Sequence, residues 1–128
     1  MSNKTYWVKI AEYDLGTAQA MLESKRFLYV GFMCHQSIEK ILKAIYTAKY
    51  ETVPPRIHNL AMLLKINKIN EEIPVEYLKI IHELNPLNIA TRYPEQDLDI
   101  MKDMNQNYVS GLLKKTRRLF KWLKTKIK

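Results

Sequence analysis

The stretch that decides the fold is LYVGFMCHQSIEKILKAIYTAKY, which runs from Leu28 to Tyr50. Its apolar residues recur three or four positions apart, and this spacing places side chains on one face of an α-helix. These residues are Val30, Met33, Cys34, Ile38, Ile41, Leu42, Ile45 and Ala48. We therefore predict a long amphipathic helix that buries this face in the core of the protein.

Prolines separate this helix from other segments with the same period. All of them fall between periodic segments, where a residue that interrupts helices is tolerated. Further helices are predicted over residues 5–24, over residues 60–67, after Pro74, and from Leu98 or Asn105 to the C-terminus. No segment alternates like a strand over more than a few residues. The predicted fold class is all-α, an antiparallel up-and-down bundle of four to five helices in a single domain over residues 1–128.

Two details of the predicted helices bear on packing. In the helix after Pro74, the period places Val75, Leu78, Ile81 and Leu84 inward. Three glycines lie inside or near the starts of helices, where each costs about 1 kcal/mol relative to alanine. They are Gly16, Gly31 and Gly111. We expect a close approach of another helix to compensate for this cost.

Composition limits the class of protein. The 128 residues are 47% hydrophobic and 10% aromatic, which is typical of a folded domain and argues against disorder. No apolar run approaches the roughly 18 residues that cross a membrane, and the first residues lack the apolar core of an export signal. The single cysteine, Cys34, has no internal disulfide partner and is expected in the core. These features predict a cytoplasmic protein.

The positive charge is concentrated at the C-terminus. The net charge of +8 comes from 21 basic and 13 acidic residues. The last segment holds eight basic residues and no acid, and without them the counts are equal. They are Lys114, Lys115, Arg117, Arg118, Lys121, Lys124, Lys126 and Lys128. The segment predicts a basic surface for phosphates or an acidic partner; a solvated helix face is the alternative.

The second helix also carries a line of polar residues. Gln36, Glu39, Lys40 and Lys43 lie three or four positions apart, so Glu39 can pair with Lys43, and His35 with Glu39. Spacing alone favours a solvent-exposed face with weak ion pairs. The alternative is a polar groove between helices that contributes to a functional site.

The loop PPRIHNL, residues 54–60, leads into the third helix. Either His58 or Asn59 is placed to cap that helix, and asparagine is the better capping residue. Arg56 and His58 are alternatively placed to contact a phosphate or an RNA backbone.

A second loop, NIATRYPEQD, spans residues 88–97. Tyr93 precedes Pro94 and is restricted towards an extended conformation, so we expect Arg92 on an extended loop. The planar guanidinium of arginine suits phosphate or carboxylate groups. Arg92 could therefore either contact a ligand or form an ion pair with a carboxylate of its own domain.

Motifs for metals and catalysis are missing from the sequence. The histidines His35, His58 and His82 and the single Cys34 show none of the spacings CxxC, HxxxH or HExxH. We therefore predict no metal site. There is also no glycine-rich phosphate loop and no GxSxG, so no cofactor and no catalytic residue is predicted.

The order of several segments resembles the HEPN domain family, the higher eukaryotes and prokaryotes nucleotide-binding domain. The segments are AEYDLGTAQAML, YVGFMCHQSIEKILKAIY, HNLAMLL and TRYP, followed by a long closing helix. The resemblance implies a bundle of four or five helices that forms a homodimer. It also implies a complex with a minimal nucleotidyltransferase from an adjacent gene, in many cases as a toxin–antitoxin pair.

Catalytically active members of that family carry an arginine, four to six further residues and then a histidine. Here the corresponding positions after Arg92 are Asp97, Leu98 and Asp99, and no histidine follows any arginine at this spacing. Because a histidine is the proton donor or acceptor in such cleavage, we expect no ribonuclease activity. The resemblance then implies a non-catalytic protein that binds a nucleotide or RNA.

We predict that Arg92 contacts a phosphate and that Tyr93 packs or stacks beside it. The other predicted nucleotide- or phosphate-binding residues are Gln36, Lys40, Lys43, Arg56 and His58, and the predicted basic surface is Lys114, Lys115, Arg117, Arg118 and Lys121. Two alternatives stay open. One is a ribonuclease in which Arg92 meets His58 or His35 in space, and the other is an assembly module for an acidic partner.

Overall fold

The computed structural model describes residues 3–96 and 99–127, and all regular structure within these ranges is helical. The helices are α1 (Lys4–Glu23), α2 (Phe27–Tyr50), α3 (Leu60–Ile66), α4 (Val75–Leu84), α5 (Leu87–Ala90), α6 (Ile100–Asp103) and α7 (Gln106–Lys124), with a 3-10 turn at Pro94–Gln96. The predicted all-α helical bundle is confirmed. Asp97, Leu98 and Lys128, to which parts of the predictions refer, lie outside the described residues.

Helix α2 forms the centre of the bundle. It packs along α1 and α7 and also contacts α3, α4 and α5. Most of the apolar face predicted from the sequence, including Ile38 and Leu42, is fully buried and forms part of the core. In the two ranges that the structure covers, no helix combines the length and apolarity needed to span a membrane.

Asparagine side chains fix the starts of two helices. Asn59 Oδ1 accepts from the Met62 N–H at 3.1 Å, so the predicted cap of α3 is confirmed. Asn105 Oδ1 accepts from the Tyr108 N–H at 3.0 Å, and α7 starts directly after Asn105, the later of its two predicted starts. Each cap satisfies a backbone donor that has no partner within its own helix.

The glycines differ in the space around them. A Cβ on Gly31 would lie 3.3 Å from Met104 Sδ and 3.4 Å from Leu87 Cδ1, so α2 approaches the segments around α5 and α6 closely at this point. A Cβ on Gly16 or Gly111 would meet no atom within 4 Å. The expectation of a close approach is confirmed at Gly31 and is wrong at Gly16 and Gly111.

Val75 differs from its predicted inward position and is 70% exposed. It is the first residue of α4, whereas the buried residues Ile80, Ile81 and Leu84 all lie in the second half of the helix. The core covers only that second half, so an apolar residue in the first turn remains in solvent although the helical period is unbroken.

Candidate functional site

Glu39 lies at the centre of a buried polar cluster. Its side chain is 1% exposed, and each carboxylate oxygen accepts one strong hydrogen bond. Lys43 Nζ donates to Oε2 at 2.9 Å, and His58 Nδ1 donates to Oε1 at 3.0 Å. Burial by itself raises the pKa of Glu39, but Lys43 and His58 together hold that pKa below its ordinary value. The carboxylate is therefore ionised at neutral pH.

His35 lies one helical turn before Glu39 and is fully buried. Its Nε2–H donates to the His58 carbonyl oxygen at 3.1 Å, while Nδ1 lies 3.3 Å from the side-chain amide of Gln36. Burial lowers the pKa of His35, so the imidazole is neutral at pH 7. His35 and Glu39 thus hold both the backbone and the side chain of His58. We call His35, Glu39, Lys43 and His58 the Glu39 cluster.

The prediction of a solvent-exposed polar face on α2 is wrong for Glu39 and Lys43, which are both buried. The loop before α3 covers this part of α2 through His58, and the Trp7 ring of α1 lies 5.8 Å from Lys43 Nζ. The predicted pairing of Glu39 with Lys43 is present. Because the ammonium of Lys43 is engaged by Glu39 and shielded from solvent, we do not retain it as a phosphate ligand.

The remaining predicted residues of α2 and its covering loop are less enclosed. Lys40 Nζ lies 3.7 Å from Asp14 Oδ2 on α1, and burial raises the pKa of Asp14 more than Lys40 lowers it. Gln36 is partly buried beside His35. Arg56 is exposed and makes no hydrogen bond or ion pair with the part of the chain that the structure describes. The structure therefore brings His58, but not Arg56, to the Glu39 cluster.

Arg92 lies in a helical turn that continues α5 rather than on an extended loop, which corrects that expectation. The N–H groups of Arg92 and Tyr93 both donate to the Ile89 carbonyl oxygen, at 3.1 and 3.0 Å. The physical reason is that proline restricts the residue directly before it, Tyr93, and leaves Arg92 free to stay helical.

The Arg92 guanidinium has aromatic neighbours. Its Nε donates to the Asn88 carbonyl oxygen at 2.8 Å, and Cζ lies 5.6 Å from the Phe32 ring centroid and 5.7 Å from that of Tyr93. These distances suit a cation–π interaction. No ion pair occupies the guanidinium within residues 3–96 and 99–127. Phe32 was not predicted; its position outside the apolar face of α2 is the signal that could have pointed to it.

Four cations of the C-terminal segment are engaged inside the domain. They contact α1, α4 and the loop between α3 and α4, and the pairs are Lys115–Glu83 at 2.8 Å, Arg117–Gln19 at 3.0 Å, Lys124–Glu12 at 2.8 Å and Lys126–Glu72 at 3.0 Å. Part of the basic segment therefore holds the last helix in place.

The other three cations of α7 are exposed. Lys114, Arg118 and Lys121 follow one another at intervals of four and three residues, so they share one face of the helix. None has a hydrogen bond or ion pair with any residue that the structure describes. We call these three residues the α7 basic face. Of the five predicted surface cations, they are the ones left free to contact a ligand.

The Cys34 thiol is not suited to catalysis or to metal binding. The Cys34 thiol is buried in the core, as predicted, and burial raises its pKa to about 12. Such a thiol stays protonated and is a poor nucleophile or metal ligand. Within the described ranges, no three residues among His, Cys, Asp and Glu form a group that could hold a metal ion.

Comparison with known proteins places this geometry in context. The model of the HEPN domain family matches residues 5–126. The crystal structure of TT1696 from Thermus thermophilus is similar, with a TM-score of 0.84 over 98% of this chain and 99% of that chain. The two sequences are 19% identical, so this likeness concerns the fold alone. No curated protein sequence gives a significant match.

Proposed function

The chain belongs to the HEPN domain family, and from that premise we propose that it is a non-catalytic member that binds RNA or a nucleotide. We further propose that it forms a homodimer and a complex with a minimal nucleotidyltransferase, in a pair of the toxin–antitoxin type. The observation that carries the binding proposal is the α7 basic face. The resemblance to the family supports the nucleotidyltransferase complex.

The α7 basic face suits a phosphate backbone because its charge is not neutralised within the domain. Lys114 and Lys121 are seven residues apart, which corresponds to about 10 Å along a helix. Three cations over this length release counterions when they contact phosphates, and this release supplies most of the affinity of a sequence-independent site. The paired cations Lys115 and Arg117 contribute less, since a phosphate would have to displace their partners.

Arg92 and Tyr93 supply a second element of the proposed binding surface. Both are exposed, and the terminal nitrogens of Arg92 are not engaged by any described carboxylate. A guanidinium presents a fork that matches phosphate oxygens, and an exposed tyrosine ring suits the face of a base. We propose that Arg92 contacts a phosphate and that Tyr93 stacks beside it.

The contacts of Arg92 also favour a non-catalytic role. A ribonuclease with a rearranged site needs a histidine next to this arginine to move a proton. The guanidinium contacts Asn88, Phe32 and Tyr93, and no histidine is among its partners in the part of the chain that the structure describes.

A salt-dependent binding measurement tests the proposal. We would measure fluorescence anisotropy with a labelled RNA of about 12 nucleotides, a length within the range of single-stranded binding sites. The test variant carries Lys114→Gln, Arg118→Gln and Lys121→Gln. The control carries Lys9→Gln, Lys65→Gln and Lys102→Gln, which removes the same charge from exposed lysines of α1, α3 and α6.

Three phosphate contacts to a single strand give a slope of about −2 in log K against log salt between about 50 and 200 mM. We expect the test variant to lose about that slope and to bind RNA at least about tenfold more weakly at 50 mM. The control should keep most of the slope and affinity. Equal losses in the two variants would remove the α7 basic face as the site. If the wild-type protein does not bind saturably at low salt, the binding proposal fails.

A further inference from the structure

A surface pocket of about 450 Å³ brings together two of the three histidines. It lies where the loop before α3 meets the end of α4 and the start of α5. Its lining residues are His58, Asn59, His82, Asn85, Pro86, Asn88 and Ile89. We call it the His58–His82 pocket. Its two histidines are 24 positions apart in the sequence, so no short sequence motif predicts the pocket.

His58 enters this pocket with one ring nitrogen already fixed. Its Nδ1–H donates to the buried carboxylate of Glu39, while its side chain is 61% exposed. The other nitrogen, Nε2, makes no hydrogen bond within the described residues. In its protonated form, the ring keeps the Nδ1–H bond to Glu39 and has an Nε2–H group free to donate to an anion. His58 is thus oriented to bind a negatively charged group.

The asparagines of the pocket present mostly donors. Asn59 Oδ1 accepts from the Met62 N–H and from Asn85 Nδ2, and Asn85 Oδ1 accepts from the Leu60 N–H at 2.8 Å. Both amide oxygens are therefore occupied, while both hydrogens of Asn59 Nδ2 and one of Asn85 Nδ2 remain for a ligand. The Asn88 side chain has no partner among the described residues. The free hydrogen-bond donors of these asparagine side chains suit a ligand with many acceptor oxygens.

The charges around His58 and His82 favour an anion as well. No carboxylate lines the pocket. Glu39, behind His58, is already neutralised by Lys43, and His35 on the same helix is neutral. On α4, Glu83 follows His82 but is bound by Lys115 and by the Tyr108 hydroxyl. An incoming anion therefore meets two imidazoles without an opposing free carboxylate.

We propose that the His58–His82 pocket binds a phosphomonoester, with His58 and His82 as charged donors and Asn59 and Asn88 as neutral donors. The dianion of a phosphomonoester matches two imidazolium groups. The volume leaves room for a nucleoside beside the phosphate, next to the apolar Pro86 and Ile89. This inference rests on the proposed function and names its ligand class more closely, as a mononucleotide or an RNA end that bears a terminal phosphate.

The three histidines provide a direct readout by proton–carbon NMR of their imidazole rings. The signals would be assigned with His58→Gln and His82→Gln, and the protein titrated separately with inorganic phosphate, AMP, adenosine and acetate near pH 6.5. We expect phosphate and AMP to shift the His58 and His82 signals saturably and to raise the apparent pKa of both rings. Adenosine and acetate should leave them nearly unchanged. His35 is buried and serves as the internal reference.

Variants test the individual groups. His82→Gln should weaken AMP binding about tenfold, the loss expected for one charged hydrogen bond. Lys79→Gln is the matched control, because it removes a cation from the same helix outside this pocket and should leave the affinity unchanged. Glu39→Gln should leave the His82 shift in place and reduce the shift of His58. His82→Gln keeps the test valid if Glu39→Gln does not fold.

The outcomes separate this inference from the proposed RNA binding. If AMP shifts neither histidine while RNA still binds through the α7 basic face, the pocket proposal alone is wrong. Equal shifts with acetate and phosphate would assign the pocket to carboxylates and overturn the phosphomonoester. The triple variant of the α7 basic face should still show the histidine shifts with AMP, even where its RNA binding is lost.

Discussion

Glu39 shows how a single charged residue can organise the surface above it. A buried ion pair adds little to stability by itself, because desolvation offsets the attraction between the charges. Removal of one partner, however, leaves the other charge buried and typically costs about 3–5 kcal/mol. In this protein the carboxylate of Glu39 also holds His58, so the same buried charge fixes an exposed imidazole. We infer that Glu39 is a positioning residue for that imidazole.

At the residue scale, His35 predicts a pH dependence of stability. Its pKa is lowered by burial in the folded protein and is about 6.5 in the unfolded chain. Below that pH the unfolded chain binds a proton that the folded protein does not. The stabilisation is therefore complete above about pH 6.5 and is lost as the pH falls towards the folded pKa, by up to about 1.4 kcal/mol per pH unit.

Urea unfolding at about pH 7.5, 6.5 and 5.5 measures this effect. The pKa of Glu39 is also lowered, so Glu39 stabilises the folded protein above about pH 4.5 and loses this effect only below that pH. The effects of His35 and Glu39 on stability therefore fall in different pH ranges. His82 is exposed, so the control variant His82→Gln should show the same dependence of the free energy of unfolding on pH as the wild type. A wild-type free energy of unfolding that does not change between pH 6.5 and 5.5 would contradict the assignment of His35 as a neutral buried group.

At the element scale, the sequence predicts that the apolar face of a helix is buried. It does not predict which other segment buries part of the polar face. The period of α2 identified the buried face that includes Ile38 and Leu42, because the pattern is local. The same rule assigned Glu39 and Lys43 to solvent. Their burial depends on the loop before α3, which is distant in sequence, and no local pattern reports such a cover.

The same limit applies to the candidate ligands. The sequence was sufficient to select Arg92, Tyr93 and His58 as candidates, because they lie in predicted loops and because exposed arginine, tyrosine and histidine suit phosphates and bases. His82 and Asn88 were not, because each becomes notable only when α4 and α5 meet the loop that carries His58. Spacing in the sequence also could not separate the engaged cations of α7 from the free ones.

The two kinds of glycine predict opposite effects of alanine. Gly16 lies inside α1 with open space around it, so Gly16→Ala should raise the free energy of unfolding by about 1 kcal/mol through helix propensity. Gly31→Ala gains the same propensity but pushes a methyl group against Met104 Sδ and Leu87 Cδ1. We expect it to give no gain or a loss.

Urea unfolding of both variants beside the wild type decides this point. Gly111→Ala provides a second test of an open site, in α7, and should stabilise the protein as Gly16→Ala does. An equal gain at Gly16 and Gly31 would show that α2 is not restricted by the segments around α5 and α6.

At the scale of the whole molecule, the basic residues of the last helix divide into an engaged group and an exposed group. Lys115, Arg117 and Lys124 connect α7 to α4 and α1, whereas Lys114, Arg118 and Lys121 remain in solvent. Three cations of α7 that have no ion pair with a described residue therefore share one helix face. Charge placed in this way steers an anionic partner towards that face.

The assembly proposed for this chain leads to a prediction about mass and salt. Alone, the protein should have a mass about twice 15.2 kDa by light scattering, as a homodimer. If the adjacent gene encodes a minimal nucleotidyltransferase, as proposed, the two proteins should elute as one larger complex. On the proposal that RNA binds the free cations of α7 and that the partner protein binds elsewhere, Lys114→Glu with Lys121→Glu should weaken RNA binding at least about tenfold and leave the complex intact.

The control for this experiment reverses the charges of Lys9 and Lys65, which are exposed on α1 and α3. It should retain both RNA binding and the protein complex. If reversal on α7 removes both, the basic face serves an acidic protein partner, and the assembly-module interpretation replaces the RNA-binding one. A mass near 15.2 kDa with no complex would remove the dimer and the nucleotidyltransferase from the proposal and leave the phosphate contacts to stand on their own tests.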